Sequence, residues 1–216
     1  MLITISRQFG AGGSEVARRV ADALGWSLVD NEFVEQVARR AGLPPEEVAD
    51  REERVLSFIE RLSLTMASSA PELFPPETGT AENRDEVMVV RMTESLVAEL
   101  AEEGRAVLVG RAAPAVLGQG GDALHVKLVA PVEFRLEQVC GRLSLEPKEG
   151  REVLKRTDKN RARYHREYYD RDWDDPANYD MVLNTGRLGF DGATSVIVAR
   201  ARERWGLDPE QQSPSQ

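Results

Sequence analysis

The chain begins with Leu2-Ile-Thr-Ile-Ser-Arg-Gln-Phe-Gly-Ala-Gly-Gly-Ser14, an apolar run of strand length followed by a glycine-rich turn. The apolar residues after Ser14 recur at helical spacing, and Gly25 is placed to end that helix. This order of strand, turn and helix lets backbone N–H groups and the helix dipole face one anion. The stretch therefore predicts a phosphate-binding turn, and the alternative is a tight strand-to-helix turn without a ligand.

The turn departs from the usual phosphate-loop pattern, G-x-x-x-x-G-K-S/T. Gly12 matches the second glycine and Ser14 the magnesium-side hydroxyl, whereas Arg7 replaces the first glycine and Gly13 the lysine. Because phosphoryl transfer needs positive charge near the β- and γ-phosphates, another cation must compensate. Arg7 is the first candidate, and the arginines of residues 156–166 are the second. An ion pair between Arg7 and a nearby carboxylate is the alternative for this residue.

Strands and helices alternate along most of the chain. Short apolar runs at 26–29, 106–109, 124–129 and 179–183 predict strands, and helical patterns follow at 32–40, 132–143, 149–172 and 192–205. Such alternation predicts an α/β fold of three layers, a parallel sheet with helices on both faces. Ligands of such sheets bind beyond the carboxyl ends of the strands, and there the glycine turn, Asp30, Arg111 and Asn184 are expected to converge.

Composition restricts the function classes. There are 28 Lys and Arg residues against 37 Asp and Glu residues, a net charge of −9, which argues against general binding of nucleic acid or anionic membranes. A single cysteine, Cys140, cannot form an internal disulfide and is interpreted as a packing residue. With neither a signal-like segment nor an apolar run long enough to span a bilayer, we expect a cytoplasmic protein.

We expect one domain over residues 1–206 and a flexible, polar tail over 207–216. Two segments interrupt the alternation of strands and helices. Prolines and a change of pattern predict a helical insert at about 42–85, which we expect to offer a homo-oligomer contact. A charged stretch at about 149–173 predicts an arginine-rich lid.

Several side chains suit phosphate chemistry. Arg111, after Gly110, offers a forked guanidinium to a phosphate. Asp30 could hold a ribose hydroxyl, a base amino group or a metal-bound water, or it could cap the next helix. In the lid, Arg156, Lys159 and Arg163 share one helical stripe, with Asp158 and Arg161 on an adjacent one, and a solvated charged face is the alternative. His125 and His165 have no companions at metal-ligand spacing and are interpreted as structural.

Four segments taken in order resemble the cytidylate kinase-like family: residues 5–14, 109–111, 158–164 and 179–185. The resemblance covers nearly the whole chain. It implies a P-loop, nucleoside monophosphate kinase-like fold and ATP-dependent, magnesium-assisted phosphoryl transfer to a nucleoside monophosphate, with CMP or dCMP as the expected acceptor. ATP is then the donor substrate and Mg²⁺ the metal.

The resemblance also implies roles for single residues. Gly10, Ala11, Gly12 and Gly13 would wrap the donor phosphates, and Ser14 would assist magnesium. Arg111 would bind the monophosphate, with Asp30 and Asp158 completing the acceptor set. Arg156 and Arg161 would contact the transferring phosphates, and with Arg7 they form the predicted catalytic set.

Two departures from the family pattern leave alternatives open. Gly13 stands at the lysine position, and Ala112 stands where cytidylate kinase has an acidic residue that helps to recognise the nucleotide. The first alternative is a kinase of another small metabolite. The second is a nucleotide-binding regulatory protein that has lost catalysis.

Overall fold

A computed structural model describes residues 1–30, 94, 97–110, 112–118 and 122–207. Chain contacts divide the molecule into two compact units, Met1–Asp30 with Leu100–Gln216, and Asn31–Glu99. Except for residues 94 and 97–99, the described residues belong to the first unit. The predicted helix at 32–40, the insert at about 42–85, Arg111 and most of the tail lie outside the described residues. None of the described helices is both long and apolar enough to cross a membrane.

Five parallel strands form one sheet in the order β2-β3-β1-β4-β5. They are β1 (Leu2–Arg7), β2 (Ser27–Asp30), β3 (Ala106–Val109), β4 (Ala123–Val129) and β5 (Met181–Asn184). The α-helices that lie wholly within the described residues are α1 (Gly13–Leu24), α2 (Ala113–Leu117), α3 (Val132–Leu143), α4 (Pro147–Tyr169) and α5 (Thr185–Trp205). The predicted parallel α/β sheet is confirmed.

The two faces of the sheet differ in chemistry because side chains alternate along each strand. Ile3 and Ile5 of β1 join an apolar core with α1 and α5. The other face of the central strands buries polar side chains instead, among them Thr4, Ser6 and Lys127. This second face lies beneath the segment that leads from α4 to β5.

Several predicted boundaries differ from the structure, and two of these differences have a local cause. The last strand begins at Met181 rather than at Tyr179, because a 3₁₀ turn at Pro176–Asn178 precedes it and Tyr179 turns inward. The last helix begins at Thr185 rather than at 192. Gly189, with φ 68° and ψ 171°, kinks it and breaks the helical pattern that the sequence would otherwise show.

Candidate phosphate site

The glycine turn joins β1 to α1, as the sequence predicts. Gly10 and Gly12 have φ of 81° and 76°, in the left-handed region that favours glycine. Neither position has room for a side chain. A Cβ on Gly10 would lie 2.7 Å from the carbonyl oxygen of Arg135, and one on Gly12 would overlap the ring of Phe190. The turn is therefore fixed both by backbone conformation and by close packing.

Several amides of the turn are available to an anion. Among the described residues, the N–H groups of Gly10, Gly12 and Gly13 make no hydrogen bond to a protein acceptor. Gly13 begins α1, and the first N–H groups of a helix have no partner within it, so they carry the positive end of the helix dipole. The turn thus retains several N–H donors for a phosphate. A strand-to-helix turn that binds no ligand would not need such donors.

Ser14 lies half-buried in the first turn of α1. In the described part of the chain, no group of three His, Cys, Asp or Glu side chains could hold a metal ion. Where Mg²⁺ binds together with a nucleotide, it usually keeps several waters and takes only one or two protein ligands plus substrate phosphates. The hydroxyl of Ser14 is the donor that fits such a site.

Helix α4 is docked on the turn through backbone atoms. The carboxylate of Asp158 accepts from the Phe9 N–H at 2.8 Å and from Nη1 of Arg135 at 2.5 Å. The same Nη1 also donates to the Phe9 carbonyl oxygen at 3.3 Å. Arg161 donates to the carbonyl oxygen of Arg7 at 2.7 Å. We call these four hydrogen bonds the lid latch.

Arg135 was missed by the sequence reasoning. It is 7% exposed and lies on α3 four residues before the buried Val139, so it belongs to the helix's inner stripe. A charged residue within an apolar helical stripe is rarely buried without a partner, and that position was the available signal.

Arg156 does not join the lid latch. It is exposed on α4, as are Lys159 and Arg163, so the predicted stripe of three cations forms an outer face of the helix. At 100° per residue, Arg156 lies about 200° around the helix from Asp158. Its catalytic role stays a prediction, whereas Arg161 is brought to the turn.

Arg7 and Asp30 both reach the carboxyl edge of the sheet. Arg7 ends β1 and is 7% exposed, and its guanidinium lies against the backbone of Gly110 at the end of β3. Asp30 ends β2 opposite Val109 of β3 and is half-buried. The structure thus places these two residues at the same edge, while the predicted helix that Asp30 could cap is outside the described residues.

Comparison with known proteins gives the class of this site. The model of the cytidylate kinase-like family matches residues 2–187. The chain belongs to the cytidylate kinase-like family. Cytidylate kinase of Natronomonas pharaonis is 30% identical over 99% of this chain and 96% of its own length. Cytidylate kinase of Haloarcula marismortui is 25% identical over 92% of this chain and 88% of its own.

A solved structure agrees on the fold. An uncharacterized protein from Eubacterium ventriosum superposes with a TM-score of 0.64 at 21% identity, over 93% of this chain and 97% of its own. Membership of the cytidylate kinase-like family makes this chain a kinase-like phosphotransferase that acts with nucleotides. The predicted family and enzyme class are confirmed.

In this member of the cytidylate kinase-like family, a buried cation lies under residues 170–180, which lead from α4 to β5 and which we call the return segment. Lys127 on β4 is 2% exposed, and its Nζ donates to the carbonyl oxygen of Trp173 and to Asp174 at 2.7 Å. The same ammonium lies 4.0 Å from the Trp173 ring centroid and 5.3 Å from that of Tyr179. Burial lowers the pKa of Lys127, and Asp174 opposes that shift.

Ser6 ties this cluster to the phosphate turn. Its hydroxyl accepts from the indole N–H of Trp173 at 2.9 Å and from the Tyr179 hydroxyl at 3.3 Å. Ser6 directly precedes Arg7 in β1, so their side chains point to opposite faces of the sheet. At the end of this strand, one face contacts the return segment and the other contacts the glycine turn. The lysine was missed because one charge in a strand gives no periodic signal.

Both histidines are buried, as their structural interpretation requires. His125 shares a 2.8 Å hydrogen bond with the hydroxyl of Thr4. Burial, with the charge of Lys127 adding to it, lowers the pKa of His165 to about 4. Burial also lowers the pKa of His125. The His165 side chain is therefore neutral at physiological pH.

Proposed function

We propose that this chain transfers the γ-phosphoryl group of ATP to a nucleoside monophosphate, with CMP or dCMP as the expected acceptor. The observation that carries the proposal is the phosphate turn itself. Its amides at Gly10, Gly12 and Gly13 make no bond to a described acceptor, and a cationic lid helix is docked beside them through Arg161. Family membership supports the nucleotide substrates.

The donor side is built from the turn. In this proposal the backbone of Gly10, Ala11, Gly12 and Gly13 surrounds the phosphates of ATP, since oriented amides at a helix N-terminus bind phosphate oxygens. Ser14 would hold Mg²⁺, which when bound neutralises charge on the β- and γ-phosphates. Gly13 stands at the position where the usual phosphate loop has its lysine. The positive side chain beside the phosphates must therefore come from another residue of the protein.

The transfer step requires positioning and charge stabilisation. A phosphate oxygen of the acceptor attacks the γ-phosphorus, the bond from that phosphorus to the β,γ-bridging oxygen breaks, and ADP leaves with the electron pair. The acceptor phosphate is already ionised, so no general base is needed. We assign the stabilisation of the negative charge in the transition state to Arg7 and Arg161. For Arg156 to contribute as predicted, its side chain would have to reach the site from the outer face of α4.

The acceptor side is proposed for Asp30, Arg111 and Asp158. Asp30 lies at the carboxyl edge of the sheet, where acceptors of open parallel sheets bind. Arg111 follows Gly110 and would grip the monophosphate with its forked guanidinium. Asp158 stays in the predicted set, although both of its oxygens now accept from Phe9 and Arg135.

Other expectations from the sequence stay predictions. They are a cytoplasmic location, the absence of nucleic-acid and membrane partners, and an oligomer contact through the insert at about 42–85. Gel filtration of the full chain with and without the nucleotide substrates tests the last of these.

The function is tested with purified protein, ATP, Mg²⁺ and a panel of CMP, dCMP, UMP, AMP and GMP, with the products separated by anion exchange. We expect CMP or dCMP to give the highest kcat/KM. Replacing Arg161 with Ala should lower kcat by roughly a hundredfold, the usual scale for one transition-state contact. Arg163→Ala is the matched control, because Arg163 is on the same helix but is exposed and pairs with Glu167 at 3.8 Å.

Three results would contradict the proposal in different ways. No diphosphate from any monophosphate would exclude nucleoside monophosphate kinase activity. Tight ATP binding in calorimetry without turnover would instead select the regulatory alternative. ATP hydrolysis stimulated by a small metabolite, but by no nucleotide, would select the other kinase alternative.

A further inference from the structure

The side chain of Arg7 occupies the space in which a side chain at position 13 would begin. A Cβ built on Gly13 would lie 2.6 Å from Cγ of Arg7, 3.0 Å from its Cδ and 3.1 Å from its Cβ. Gly13 is buried and has no left-handed φ, so its backbone alone would accept alanine. What excludes a side chain there is the stem of Arg7.

A second glycine makes room for the other end of the same arginine. Gly110 has a φ of 84°, and a Cβ on it would overlap Nη1 of Arg7 and lie 3.3 Å from Cζ. Gly110 is held in place because its N–H donates to the carbonyl oxygen of Ile5 at 3.0 Å. The stem of Arg7 therefore passes by Gly13, and its guanidinium ends against Gly110.

The backbone of Arg7 is fixed as well. It is the last residue of β1, paired with Leu128 of β4, and its carbonyl oxygen accepts from Arg161 at 2.7 Å. The side chain points to the sheet face that also carries Ile3 and Ile5, under the first turn of α1. A cation from the strand thus reaches the start of α1, where the family pattern expects a lysine from the helix.

We propose that Arg7 and Gly13 form a mutually exclusive pair, in which the strand arginine takes the place of the helix lysine. Gly13 and Gly110 are then positioning residues that act through Arg7, and Arg7 is the protein cation for the donor's terminal phosphates. This deepens the proposed function and rests on it for the identity of the donor. The lysine is absent because the side chain of Arg7 and a lysine side chain at position 13 cannot occupy the same space.

The steric part is tested by a double-mutant cycle that needs no turnover. Gly13→Ala should lower the melting temperature in the wild-type background, because the new methyl group overlaps the stem of Arg7. In the Arg7→Ala background the same change should be neutral or stabilising, since alanine favours a helix over glycine. Gly141→Ala is the control, because Gly141 lies in α3 with nothing within 4 Å of a built Cβ.

The cation part is tested with inorganic tripolyphosphate in calorimetry. Arg7→Ala should weaken its binding at least tenfold, as expected for the loss of a charge-assisted hydrogen bond. Gly13→Ala should weaken it in the wild-type background and change it less than twofold in the Arg7→Ala background. Gly13→Lys should weaken binding alone, yet restore most of the lost affinity when combined with Arg7→Ala. Gly141→Ala should bind like the wild type.

The outcomes separate this inference from the kinase proposal. If Gly13→Ala has the same effect on melting temperature in both backgrounds, the exclusive pair is wrong, whatever the enzyme's activity. If Arg7→Ala binds tripolyphosphate like the wild type, Arg7 is not the phosphate cation. If the cycle holds but no monophosphate is phosphorylated, the pair stands and the proposed acceptor fails. No binding of tripolyphosphate by the wild type would overturn the cation role while the melting cycle still reports on the pair.

Discussion

Removing the carboxylate of the lid latch should destabilise the protein strongly. In Asp158→Ala, the Phe9 N–H loses its acceptor, and Arg135 keeps a buried guanidinium without its counter-charge. The side chains of Arg135 and Asp158 are 9% and 20% exposed, so solvent replaces the lost contact poorly. Removing one partner of a buried ion pair costs about 3–5 kcal/mol, and the partial exposure of Asp158 places the expectation at about 3 kcal/mol.

The measurement is thermal unfolding followed by circular dichroism. For a chain of this size, 1 kcal/mol shifts the melting temperature by about 2–4 °C, so we expect a decrease of about 6–12 °C. Helices α3 and α4 also provide the matched control. Arg151 of α4 and Glu133 of α3 are 3.6 Å apart, but their side chains are 53% and 78% exposed. Glu133→Ala should cost less than about 1 kcal/mol.

A double replacement distinguishes loss of the pair from loss of packing. Arg135→Leu combined with Asp158→Leu removes both charges, and apolar replacement of a buried pair is often close to neutral. We expect the double variant to be more stable than either single variant. The reasoning would be refuted if Asp158→Ala cost no more than Glu133→Ala, or if the two single effects simply added.

Three further predictions concern the buried polar face and the turn. The pKa of His165 is lowered to about 4, below its value of about 6.5 in the unfolded chain. The free energy of unfolding should therefore be at its full value above pH 6.5 and should decrease as the pH falls toward 4. In acid titrations of unfolding, His165→Phe should reduce that decrease by up to about 3 kcal/mol. Lys127→Met should raise the pKa of His165 in NMR titration, because the charge of Lys127 helps to lower that pKa. An unchanged pKa would contradict the electrostatic interaction between the two side chains. Gly12→Ala should lower the melting temperature more than Gly25→Ala. At both positions an alanine would have to adopt a left-handed φ, which costs about 1–2 kcal/mol, but only Gly12 lies against Phe190. Equal decreases in melting temperature would count against that packing.

The sequence predicted the sheet and the position of the turn because both are local signals. Strand β3 and helix α3 match their predicted bounds, since each is an uninterrupted pattern of apolar spacing. The glycines were recognisable because a turn between a parallel strand and a helix needs left-handed residues and close packing.

The side-chain network of the site could not be predicted in the same way. The contacts of Arg135, Lys127 and Trp173 join segments far apart in the chain, and a single sequence contains no signal for which distant residues meet. The stripe that begins at Arg156 was selected for its charge, yet it faces outward, because periodicity identifies which residues share a face but not which face is docked. Arg161, two positions from that stripe, reaches the turn instead.

The lid latch has a consequence for how the loop can change. Its contacts to the turn go to the N–H and carbonyl groups of Phe9 and to the carbonyl oxygen of Arg7, not to their side chains. The carbonyl groups are present whichever amino acid stands at either position, and the N–H of position 9 is present for every residue except proline. At position 7 the lid latch therefore depends on the path of the backbone and not on the side chain. At position 9 the side chain matters as well, because the Phe9 ring shares an apolar cluster with Leu154 of α4 and lies 5.6 Å from the Arg161 guanidinium. Substitutions that retune the phosphate site at position 7 can be introduced, in evolution or in the laboratory, without redesigning the docking of the lid.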